Sequence, residues 1–77
     1  MPEISTLDKF RVPLGNQEIE IQQIEHAGGG MPMLRLRIRE ARRFTIFDID
    51  PLTAQHWAGV MRDWAATQLP TEDAPHD

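Results

Sequence analysis

A chain of 77 residues and 8.8 kDa, with no cysteine, a net charge of -4 and 40% hydrophobic side chains, fits one small domain. Without cysteine a disulfide scaffold, a zinc ribbon and a thiol enzyme are excluded, and a reducing compartment fits. No apolar run approaches the roughly 18–20 residues needed to cross a bilayer, and residues 1–7 lack the basic and apolar regions of a signal peptide. The expected location is therefore the cytoplasm, with no membrane.

The first strand signal is Phe10, Val12 and Leu14 alternating with Arg11 and Pro13. Pro13 cannot donate a ladder hydrogen bond, which predicts an edge strand. The residues before it, Ser5 among them, read as a tail. Gly15 and Asn16 tolerate positive φ and supply a turn. Alternation resumes with Ile19 and Ile21 against Glu18, Glu20 and Gln22, then slips at Ile24, which predicts a bulge near Gln22 and Gln23 or the end of regular pairing.

Gly28, Gly29 and Gly30 form a flexible connection. A phosphate-binding role is not expected of it, because no Lys-Ser or Lys-Thr follows and no helix opens after it. The clearest strand follows, with Leu34, Leu36 and Ile38 between Arg35, Arg37 and Arg39. A short link, Glu40 to Arg43, leads to a fourth strand that is apolar on both parities, Phe44 to Ile49. Both of its faces should be covered, at least in part.

Asp50 before Pro51 reads as an N-cap followed by proline at the first helical position. Ala54, Trp57, Val60, Met61, Trp64 and Ala65 then share one helical face, and Pro70 ends the helix. The expected fold class is α+β: a four-stranded antiparallel β-meander with one C-terminal α-helix packed across one face. It forms a single domain over residues 1–69, with a disordered acidic tail at 70–77.

Charge is unevenly placed along the chain. Residues 1–34 sum to -3, residues 35–43 to +4 and residues 44–77 to -5. The arginine stripe, Arg35, Arg37, Arg39, Arg42 and Arg43, is the candidate ligand or nucleic-acid contact, since guanidinium forks suit phosphate and carboxylate. A hairpin closed over the glycines, with paired numbers summing to 57, offers a structural alternative. It sets Glu18 opposite Arg39, Glu20 opposite Arg37 and Gln22 opposite Arg35, with Ile19 facing Ile38 and Ile21 facing Leu36. Such a ladder of solvated pairs is preferred, because the arginine parity carries no aromatic platform for bases.

Other constellations are weaker. Asp48, Asp50 and His56 lack the convergence of a metal site, and Ser5 has no nucleophile motif around it. No catalytic, metal or cofactor-binding residue is assigned, and no cofactor is expected. Trp57 and Trp64 read as anchors against the sheet. Phe47 and Ile49 are interface candidates, on a side that the single helix is expected to leave uncovered, together with the adaptable Met31 and Met33.

The stretch 31–64, with MPMLRLRIRE and RFTIFDIDPLTAQHW, resembles short uncharacterised proteobacterial proteins classed as domains of unknown function. That resemblance covers most of the ordered chain and implies no activity. In outline, the strand order and tryptophan-bearing terminal helix are also similar to the single-stranded-DNA-binding transcriptional coactivator family, which implies dimers. The chain departs from that family in its acidic balance and in lacking lysine-rich strands and exposed aromatics.

A domain below about 70–80 residues gains only a few kcal/mol from its core, and oligomerisation is the remedy this composition leaves. The expected function is a non-enzymatic protein-interaction or scaffold domain, self-associating as a homodimer and binding a protein partner. The alternative is a single-stranded nucleic-acid-binding protein using the arginine face.

Overall fold

The structure, a computed structural model, describes residues 2–70, so the acidic tail expected beyond Pro70 lies outside the described residues. Four strands, β1 (Glu3–Arg11), β2 (Glu18–Glu25), β3 (Met33–Glu40) and β4 (Arg43–Ile49), precede one helix, α1 (Pro51–Gln68). The strands lie in chain order in one sheet, each antiparallel to the next, as links of two to seven residues demand.

The β2–β3 register is the one that sums to 57. Glu18 faces Arg39, Glu20 faces Arg37, Gln22 faces Arg35, Ile19 faces Ile38 and Ile21 faces Leu36. The loop between them bends at Gly29 and Gly30, with φ of 90° and 102°, conformations that suit residues without a Cβ.

The first strand corrects the sequence reading. It starts at Glu3, so Ser5 belongs to the sheet, and it ends at Arg11. Val12, Pro13 and Leu14 fall in the turn, where Pro13 forfeits no ladder hydrogen bond. The turn is closed by the Asn16 N–H donating to the Val12 carbonyl at 2.7 Å and the Val12 N–H donating to the Gln17 carbonyl at 2.8 Å. Asn16 takes the expected positive φ, 62°.

The bulge also moves to another strand. β2 pairs with β3 without a break, while β1 carries an extra residue, Leu7, between Thr6 and Asp8 opposite Gln22 and Ile21. Leu7 resets the alternation. Ile4 and Thr6 thereby share the side of Ile24 and Gln22, whereas Phe10 lies across from Ile19 on the other side. The parity slip at Ile24 thus has its own reason. Ile24 sits between Ile4 and Met33 on the neighbouring strands and is 1% exposed, the one buried hydrophobic side chain among the described residues.

The helix starts as the sequence predicts. The Asp50 carboxylate accepts hydrogen bonds from the N–H groups of Leu52 and Thr53 at 3.1 and 3.2 Å and from the Thr53 hydroxyl, and Pro51 occupies the first turn. At the far end the Leu69 N–H donates to the Ala65 carbonyl before Pro70 stops the helix. No helical residue is buried. The radius of gyration, 15.9 Å, exceeds the roughly 11–12 Å of a compact chain of this length.

Candidate functional site

The two faces of the sheet offer different chemistry. The open face, turned away from α1, carries the arginines, each placed by the β2–β3 and β3–β4 registers. Arg39 reaches Glu18 at 3.5 Å, and Glu18 also meets Lys9 of β1 at 3.8 Å. Arg37 reaches Glu20 at 3.3 Å, where the Thr6 hydroxyl donates at 2.7 Å and the Gln22 amide at 3.2 Å. Arg35 binds Asp48 of β4 with both forks, Nε to Oδ1 at 2.8 Å and Nη2 to Oδ2 at 3.2 Å.

These partners shift the carboxylates. The Thr6 hydroxyl first, with Arg37 and Gln22, holds Glu20 below the usual carboxylate range against the opposing effect of burial. Arg35 does the same to Asp48, chiefly by hydrogen bonding, and the pair raises the Arg35 guanidinium in return. Asp50 is lowered by its hydrogen bonds to Thr53.

The sequence reading missed the Arg35–Asp48 pair, although a signal for it was present. A two-residue link after Glu40 sets it opposite Arg43 and thereby places Arg35 against Asp48, Arg37 against Ile46 and Arg39 against Phe44. The same register supplies an aromatic to the arginine face from the neighbouring strand. The Phe44 ring lies 4.5 Å beneath the Arg37 guanidinium, so one cation is held by both a carboxylate and a π-face. Arg42 and Arg43 stand at the β3–β4 end, where neither makes an ion pair among the described residues.

The other face is apolar. Phe47 and Ile49 lie opposite Leu36 and Leu34, on the side α1 approaches, which corrects the expectation that their side stays uncovered. The uncovered β4 residues on the open face are instead Phe44 and Ile46. The Phe47 ring meets Trp57 at 5.9 Å between centroids. Beside that contact runs a groove of about 320 Å³ between helix and sheet, lined by Phe10, Leu36, Ile38, Trp57, Ala58 and Met61 among others. Trp64 does not reach the groove and is 65% exposed. On the arginine side of the sheet Met33 lies across from Ile24, and Met31 lies exposed in the preceding loop.

The remaining candidates separate in space or in use. Asp48 is paired with Arg35 and Asp50 caps α1. Among the described residues no three His, Asp or Glu side chains gather as metal ligands. Ser5 pairs with Gln23 across the β1–β2 ladder. No described helix is long and apolar enough to cross a membrane.

Comparison with curated proteins and with solved structures gives no match. A family model does match, over residues 1–67, which takes in all four strands and α1 but for its last residue. The chain therefore belongs to DUF6967, a family of unknown function.

Proposed function

We propose that this chain is a non-enzymatic interaction module that self-associates, as a homodimer, and serves as a scaffold for a protein partner in the cytoplasm. One observation carries the reading: Ile24 is the only buried hydrophobic side chain among the described residues, while Trp64, Met61, Val60 and Leu52 are 52–75% exposed. A fold of this size needs more covered apolar area to offset chain ordering. A second chain is the simplest source of it.

Sedimentation equilibrium at micromolar concentration tests the proposal. The expected mass is about twice that of the chain. A clean monomer would sink it.

Nucleic-acid binding is the weaker reading. Arg35, Arg37 and Arg39 already hold Asp48, Glu20 and Glu18, so a phosphate would have to displace a carboxylate at each. Arg42, Arg43 and the Phe44 ring are what support it.

A further inference from the structure

We infer that the surface used for self-association is the helix-side face, and that Trp64 of each copy seats in the helix–sheet groove of the other. The inference rests on the self-association proposed above and specifies its geometry.

Three observations lead there. First, the groove is almost wholly apolar, and its volume of about 320 Å³ is large enough for an indole ring. Second, α1 lines the groove through Ala54, Trp57, Ala58 and Met61, within its first three turns. Trp64 lies two turns past Trp57 near the same helical face, 65% exposed and without a ring neighbour of its own among the described residues. Third, the surface is large enough. With aromatic side chains taken at about 150–250 Å² each, the exposed parts of Phe10, Phe47, Trp57, Val60, Met61 and Trp64 come to roughly 600 Å² per chain, near the roughly 800 Å² per partner of a stable interface.

The occupant is a second copy because one patch carries both the protruding ring and the hollow that takes it. A two-fold axis maps a patch onto itself, so a ring at 64 meets a hollow at 57 only if the axis passes midway. That midpoint falls between Val60 and Met61, which are 53% and 52% exposed, so Val60 of each copy would meet Met61 of the other there. Antiparallel helices two turns out of step satisfy both seats at once.

Two variants of the full chain test this. Trp64→Glu should leave the far-UV circular dichroism of the sheet intact and raise the dimer dissociation constant at least about a hundredfold, while Arg62→Ala, on the far side of α1, should leave it unchanged. In Trp57→Phe the remaining indole is Trp64. Its emission should shift to the blue and its acrylamide quenching should fall as concentration rises through the dissociation constant.

A wild-type dimer that Trp64→Glu leaves intact, or a Trp64 that stays fully quenchable in that dimer, would overturn this geometry and leave self-association standing. A monomeric wild-type chain would end both. A monomer that retains an apolar small molecule in native mass spectrometry would assign the groove to a ligand instead.

Discussion

Asp48 and Arg35 show how one pair of side chains can tie strands together and tune the response to pH. The two hydrogen bonds, 2.8 and 3.2 Å, join β3 to β4 at about one-third side-chain exposure, so solvent weakens the pair without abolishing it. Because the folded chain holds the Asp48 carboxyl below its ordinary value, the unfolded chain takes up the proton first as pH falls. The stabilisation is therefore complete above the ordinary carboxylate range and is lost as pH drops through that range toward the folded value. Glu20 and Asp50 are lowered as well and act in the same direction. Asp48→Asn is expected to reduce the urea midpoint at neutral pH and to flatten its decline in acid, with the part due to Glu20 and Asp50 remaining. An acid limb as steep as that of the unsubstituted chain would contradict this.

At the scale of elements, the sheet was legible where alternation and loop length agreed. Residues 18–22 and 35–39 each repeat with period two, and one register satisfied the charged and the apolar side together, so the β2–β3 pairing could be written from the sequence. β1 was not legible in the same way. Leu7 is an extra residue, so Ile4 and Phe10 share a parity in the sequence yet lie on opposite sides of the sheet. Period-two reasoning cannot bridge such a change of face. The slip at Ile24 is visible in the sequence, but it marks an isoleucine turned to the side of Ile4 and Met33 and no bulge in β2.

The β3–β4 hairpin yields a second element-scale prediction. Ala41, in the two-residue link, holds φ at 56°, a left-handed conformation that a Cβ opposes. Ala41→Gly is expected to stabilise the fold by about 0.5–1 kcal/mol, since relief of that strain outweighs the added freedom of the unfolded chain. Chemical denaturation at fixed protein concentration measures it. A loss of stability would show that the turn tolerates alanine without cost.

For the whole molecule, the candidate site was legible as chemistry and less so as location. The arginine stripe and its β2 partners follow from spacing, whereas the side of Phe47 and Ile49 depends on the β3–β4 register, which a strand apolar on both parities does not reveal. With a net charge of -4 and three of the five stripe arginines paired, single-stranded oligonucleotides are expected not to bind measurably even at low salt, as read by fluorescence anisotropy. Tight, steeply salt-dependent binding that disappears in Arg37→Ala and Arg39→Ala would reverse that ranking.

β1 forms one rim of the sheet, exposed along its length, with Glu3, Asp8, Lys9 and Arg11 on it and the bulge at Leu7 partway down. A straight, neutral rim would be a template on which further chains could add indefinitely as a growing ribbon. Interrupted backbone and mixed charge spoil that template. Stacking flat surface to flat surface, in contrast, consumes the adhesive area on both molecules and saturates at two. Along the β1 rim, the proposed face-to-face pairing is thus guarded against growth into a ribbon.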